Sequence, residues 1–175
     1  MFYRKDIDGL RGISVFLVFL FHLNILDGGY LGVDIFFVIS GFLITGLIFE
    51  EIYKNKFSLL KFYERRIRRI CPMLFMVSIL TFPFAYILMY PDQFIEYGES
   101  LIGTSLNISN IFFYFQSGYF EENANFKPLL HIWSISIEEQ FYLFFPLIIL
   151  FFFKYFSKHQ ISFIFFIIFI FFLLF

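Results

Sequence analysis

Six stretches of this chain are apolar for longer than a water-soluble fold requires: residues 10–26, 32–49, 72–90, 101–120, 137–153 and 161–175. A helix of ~20 residues rises far enough to cross the ~30 Å hydrocarbon core of a bilayer. In that solvent a backbone must satisfy its own hydrogen bonds, so segments of this length fold as helices. Composition decides between a membrane bundle and a large soluble core. With 60% hydrophobic and only 15% charged residues, the chain has too little polar surface to coat a globule. The expected fold is an all-α, polytopic integral membrane bundle with five or six apolar segments. The count stays open because residues 101–120 carry much Ser, Thr and Asn, and either span or lie re-entrant or in the interface. The last segment is ~22 Å long, short of a full crossing.

Charge sets the topology. Arg4 and Lys5 precede the first segment and place the N-terminus in the cytoplasm. No small-residue cleavage site follows, so the segment reads as an uncleaved signal anchor. Seven basic residues between Lys54 and Arg69 fix the next loop in the cytoplasm as well, after two crossings. Residues 91–100 are acidic without Lys or Arg, which suits the outer face. Lys154 and Lys158 fall outside if residues 101–120 span, and inside if they do not. With a net charge of −1, the basic cluster speaks for topology and a phosphate-bearing ligand, not for nucleic acid. One cysteine excludes an intrachain disulfide, and three scattered histidines argue against a metal site.

Local signals refine the bundle. Residues 27–30 (DGGY) predict a tight turn, with glycines free to take positive φ, joining the first two segments as a hairpin. Gly41 and Gly46 would let those helices approach closely, and Ser40 and Thr45 could hydrogen-bond between them. Pro72 suits the first turn of the third span, and Pro83 should kink it. Gly103, Thr104, Asn107 and Asn110 would form one polar face turned into the bundle.

Three constellations can carry chemistry. Arg11 and His22 bracket ten uncharged residues in the first segment. Eleven positions make about three turns plus ~20°, so both lie on one face ~16 Å apart, as a polar track leading in from the cytoplasm. Arg11 is also explained as a snorkelling anchor, and His22 as a buried hydrogen-bonding residue. A neutral histidine in low dielectric is nevertheless suited to act as a general base. Arg65, Arg66, Arg68 and Arg69 present four guanidiniums in five positions, fit for bidentate phosphate contacts or for anionic lipid. In HIWSISIEEQFY, Ser136 and Glu139 match a capping box, whereas Glu138 has no such bland account. A helix throughout would put His131, Glu138 and Tyr142 on one face, and Trp133 reads as an interface anchor.

These residues resemble the bacterial membrane acyltransferase-3 family. The resemblance rests on Arg11-x10-His22 after DIDGLRG, on GVDIFFVISGFLIT, on RRIRRICP and on LLHIWSISIEEQFYLFFP, four motifs in order up to Pro146. It implies an O-acyltransferase, usually of acetyl, that takes the group from cytoplasmic acyl-CoA (acetyl-CoA) as donor substrate, with no permanently bound cofactor. The acceptor would be a cell-surface glycan such as lipopolysaccharide, capsule or peptidoglycan, and the location the bacterial inner membrane. Implied catalytic residues are His22, Arg11 and Glu138. Donor binding falls to the R-x-x-R element, either Arg65/Arg68 or Arg66/Arg69. Ser40, Gly41, Thr45, His131, Trp133, Ser134 and Glu139 are further motif positions. Members have about ten spans and roughly twice this length. Residues 1–175 are therefore expected to be the N-terminal part of one transmembrane domain, with no soluble domain. A truncated product, a second chain completing the bundle, an inactive fragment and a glycan or lipid transporter are the alternatives.

Overall fold

The computed structural model describes residues 4–116 and 127–156, and every regular element in them is helical. The expected last segment, 161–175, lies outside the described residues. Six helices follow one another: α1 (Lys5–His22), α2 (Leu31–Tyr53), α3 (Leu59–Leu88), α4 (Pro91–Ser105), α5 (Ser109–Gln116) and α6 (Trp133–Tyr155). Short 3-10 turns at Asp27–Tyr30 and Leu130–Ile132 lead into α2 and α6. Three helical units are long and apolar enough to cross a membrane: Asp27–Tyr53, Leu59–Leu88 and Leu130–Tyr155. The bundle is thus polytopic, but it presents three such spans among the described residues where five or six were expected.

Asparagines account for much of the difference. Among the described residues, Asn24, Asn55 and Asn107 are those other than glycine with positive φ, near +55°. Each stands just past a helix end, and the next residue donates its N–H back to a carbonyl five positions earlier: Ile25 to Leu20, Lys56 to Glu51, Ile108 to Gly103. This is the Schellman closure, with Asn taking the left-handed position that glycine usually fills. α1 therefore stops at His22 instead of running to residue 26, and its first turns carry Lys5, Asp6, Asp8 and Arg11. Residues 101–120 are not one span, because Asn107 breaks them into the end of α4 and the start of α5. α5, at eight residues, is only ~12 Å long.

α3 corrects a second boundary. It is one continuous helix of 30 residues with Pro72 and Pro83 inside it, so Pro72 is not in a first turn. At ~1.5 Å per residue it is ~45 Å long, more than a bilayer core needs. The uncharged stretch from residue 70 to 88 is long enough by itself to cover the hydrocarbon, which leaves the arginine-bearing start of the same helix in excess of that need. The exposed Phe75, Ile79, Phe84, Ile87 and Leu88 suit lipid or further helices.

α1 and α2 pack as the expected hairpin, by different glycines. A Cβ on Gly29 would lie 2.2 Å from the Leu17 carbonyl oxygen, and one on Gly32 2.4 Å from that of Ser14. Neither has positive φ; they are glycines because two backbones meet there. A Cβ on Gly41 would meet nothing within 4 Å. Thr45 bonds the Gly41 carbonyl of its own helix, and Ser40 bonds α6, so neither links α2 to α1. α6 closes the bundle against α2, α3 and α5. Ile44, Ile48, Phe62, Tyr142 and Ile149 form one buried cluster; Ala85, Tyr97, Phe113, Leu129 and Ile132 form a second around α4 and α5.

This packing predicts that Gly32→Leu pries α1 from α2 and costs about 2 kcal/mol or more, whereas Gly41→Ala leaves stability unchanged or raised. Thermal unfolding in detergent micelles checks both; equal loss at the two positions would contradict the glycine contacts.

Candidate functional site

The site grows from one carboxylate in the middle of the bundle. Glu138 stands on α6, and both Ser40 of α2 and Tyr142, one turn on, donate hydroxyl hydrogens to its Oε1. Ser40 and Tyr142 are buried, Tyr142 being 3% exposed. In a membrane interior an unpaired carboxylate would be expensive, and these two donors hold it. Glu138 also lines two cavities. One, of 240 Å³, lies between α3 and α6 and is bounded by Arg69, Met73 and Ile135. The other, of 300 Å³, lies between α1, α2 and α6 and is bounded by Val15, Val18, Phe36 and Ser134.

The four arginines divide by helical phase. Arg65 donates to both oxygens of Glu51 at 3.0 and 3.1 Å, and Arg68 pairs with Glu64 at 2.8 Å; both pairs are exposed. Arg66 and Arg69, one position further round in each case, reach α6. The Arg66 guanidinium lies 5.7 Å from the Phe62 ring centre and 5.6 Å from that of Tyr142. Arg69 faces the same cavity as Glu138. Arg66 and Tyr142 also wall a third cavity of 600 Å³, with Glu139, Gln140 and Asn107 among its polar residues. Arg66 Nε and Glu139 Oε1 are buried there without a hydrogen-bond partner among the described residues. The two groups are of opposite charge and interact electrostatically across this cavity. Of the two R-x-x-R readings, Arg66/Arg69 is the pair that borders the cavities of α6, Arg66 partly buried and Arg69 exposed, while Arg65 and Arg68 pair with surface glutamates.

His22 is the last residue of α1, exposed, and its ring meets that of His131 edge to face at 4.7 Å. This pairing was not foreseen: helical phase alone put His131 with Glu138 and Tyr142. The lead-in to α6 is a 3-10 turn, which carries His131 off that face and onto α1. Arg11 keeps to the near end of α1, 3.6 Å from Asp8. Val15 and Val18, which share the Arg11–His22 face, line the cavity that Glu138 closes, so this track is apolar along its middle. His22 meets His131, while Val15 and Val18 share a cavity with Ser134, Ile135 and Glu138. α1 and α6 therefore face each other across this cavity.

Other motif residues take structural places. Trp133 packs edge to face on Phe37 at 6.4 Å, holding α6 to α2. Ser134 donates to the His131 carbonyl at 3.3 Å. The Ser136–Glu139 capping box does not form, because α6 begins at Trp133 and Ser136 is inside it, fully buried and accepting the Ser109 backbone N–H at 3.3 Å. Gly103 and Thr104 are buried as expected. Asn110 and Gln140 exchange side-chain hydrogen bonds at 2.9 and 3.3 Å, and Gln140 donates to the Asn107 carbonyl at 2.8 Å. Tyr142 and Gln140 were not singled out as site residues. The polar run EEQFY in an apolar helix was the available signal.

The acyltransferase domain model (Acyl_transf_3) matches residues 4–175. The O-acetyltransferase OatA of Staphylococcus aureus strain NCTC 8325 / PS 47 is 42% identical over 165 residues, which make up 91% of this chain and 27% of that protein. Two putative O-acetyltransferases of S. aureus, SAS0844 and SAR0937, are 40% identical over 152 residues, 85% of this chain and 25% of theirs. The chain thus spans about a quarter of the length of the curated relatives it matches. No solved structure matches it. A family model that runs through every helix described above, and relatives that agree with it, make the chain a member of the acyltransferase-3 domain family.

Proposed function

We propose that this chain is the N-terminal part of a transmembrane domain that moves an acyl group, acetyl in the first place, from cytoplasmic acyl-CoA to a hydroxyl of a cell-surface glycan. One observation carries the reading. The Glu138 carboxylate stands between two cavities, one walled by α1 and α2 and one bounded by Arg69 of α3, and the His22–His131 ring pair stands at the end of α1. Family membership and the names of the O-acetyltransferase relatives supply the reaction class. The basic N-terminus and the arginine-bearing start of α3 favour a cytoplasmic position for the Arg66/Arg69 end. His22 then lies ~16 Å deeper, toward the outer face where a glycan is met.

In this reading Arg66 and Arg69 hold phosphates of the donor, and Arg11 extends the cationic entrance. The acyl-pantetheine arm, long and amphipathic, runs along the valine-lined gap. His22 takes the proton of the acceptor hydroxyl, and the oxygen attacks the thioester carbonyl carbon. The C–S bond breaks, and the CoA thiolate recovers the proton from the imidazolium. Glu138, pinned by Ser40 and Tyr142, offers its remaining oxygen to the path between the two cavities.

Two outcomes are expected in bacterial membranes that carry the full chain. His22→Ala should abolish glycan O-acetylation, read by mass spectrometry, at normal expression; full acetylation would remove His22 from the chemistry. Arg66→Ala and Arg69→Ala should each weaken acetyl-CoA binding by about 10-fold or more, the scale of a charge-assisted hydrogen bond, while Arg65→Ala and Arg68→Ala change it less than about threefold. Calorimetric titration with acetyl-CoA decides between the two arginine pairs.

A further inference from the structure

We infer that Tyr142 is a positioning residue that joins the donor end of the site to its central carboxylate, an inference that rests on the acyl-transfer reading above. The evidence is that one side chain has two separable contacts. Its hydroxyl donates to Glu138 Oε1. Its ring face lies under the Arg66 guanidinium at 5.6 Å. Tyr142 is nearly fully buried within the cluster of Ile44, Ile48, Phe62 and Ile149, so its ring cannot swing to serve one partner without leaving the other.

Each contact has its own physical effect. The hydroxyl fixes which way the Glu138 carboxylate points, because Ser40 from α2 shares the same oxygen and the pair of donors leaves Oε2 without either of them in a residue that lines two cavities. The ring holds Arg66 by cation–π attraction between Tyr142 and Phe62, since no carboxylate among the described residues forms an ion pair with it. Phenylalanine would keep the second contact and lose the first. In a chain with 33 phenylalanines, a tyrosine at this position is informative: packing alone would be served by the commoner ring. Arg66 orders the donor, Glu138 faces the reacting path, and Tyr142 fixes the geometry of one against the other.

The test uses membranes carrying the full chain, with acetyl-CoA as the probe and release of the CoA thiol as the readout. Tyr142→Phe should lower kcat by about 10- to 100-fold, the scale for a hydrogen bond to a charged group, with KM for acetyl-CoA unchanged. Tyr142→Leu should lower kcat as much and also raise KM about fivefold, because the cation–π face is gone. A merely structural tyrosine would not produce this split. Wild-type kcat in Tyr142→Phe, or a rise in KM as large as that of the leucine variant, would overturn the inference and leave the acyl-transfer reading standing. If the unsubstituted chain releases no CoA, that reading falls and the inference with it. Should the leucine variant fail to accumulate, the nearly isosteric Tyr142→Phe decides alone.

Discussion

A carboxylate placed among membrane helices has to be paid for locally, and Glu138 is the point at which this bundle meets that demand. Its two donors come from different places: Ser40 from α2, and Tyr142 from the next turn of α6 itself. The pairing does more than neutralise a cost. It fixes the rotation of α6 about its axis, because the residue that reaches Ser40 dictates which face meets α2. Once that face is set, Tyr142 must point toward α3, and Gln140 toward Asn107 and Asn110 of the α4–α5 turn. The apolar cluster of Ile44, Ile48, Phe62 and Ile149 then fills the space around a polar centre already placed. Apolar contacts alone would leave such an alignment loose, since lipid tails compete equally well for leucine and phenylalanine surface.

The arginines follow from the same orientation. A run of four in five positions cannot all face one way, because each step turns the helix by ~100°. Glu51 and Glu64 neutralise the outer pair, and the inner pair inherits the polar side of α6. Surface pairs of this kind contribute little to stability. Their consequence here is one of assignment: they remove Arg65 and Arg68 from competition for an anion, while Arg66 sits between aromatic rings with Nε unsatisfied. A guanidinium held by ring faces keeps its in-plane donors available, and those are the donors a phosphate uses.

Much of this was legible in the residues, and the failures have definite causes. Apolar length revealed the membrane bundle. Helical phase put Arg11 and His22 on one face, and Val15 and Val18 from that face do line the cavity beside Glu138. Helix ends were misread because asparagine was taken as an ordinary helical residue, Asn24 inside an apolar segment and Asn107 on a polar face. At Asn24 and Asn107 it is a stop, taking the left-handed cap. Gly41 was misassigned because spacing within α2 cannot tell which turn meets α1; that depends on the length of the preceding 3-10 turn, which brings Gly29 and Gly32 against Leu17 and Ser14. Ser136 and Glu139 satisfied a capping pattern, yet α6 starts three residues before Ser136, at Trp133. Nothing in the spacing of His22 and His131, 109 positions apart in sequence, foretold their meeting.

That meeting gives the gap between α1 and α6 a direction. His22 faces His131, and Val15 and Val18 of α1 share a cavity with Ser134, Ile135 and Glu138 of α6. Two helices that touch at one end and diverge around a cavity leave a slot whose walls differ along its length. The histidine end is aromatic and exposed; the cavity beyond it is apolar apart from Ser134 and one carboxylate; on the other side of that carboxylate Arg69 of α3 bounds a second cavity. On the acyl-transfer reading, a ligand with a polyanionic head and a long, weakly polar arm sets its head toward Arg69 and its arm along these apolar walls. Reversing it would set phosphates beside valines and a carboxylate, with nothing to replace their hydration. The slot therefore selects both the ligand's polarity and the end at which its terminal atoms emerge. On the acyl-transfer reading, that end is beside the one ring at the close of α1 able to accept a proton from an incoming hydroxyl.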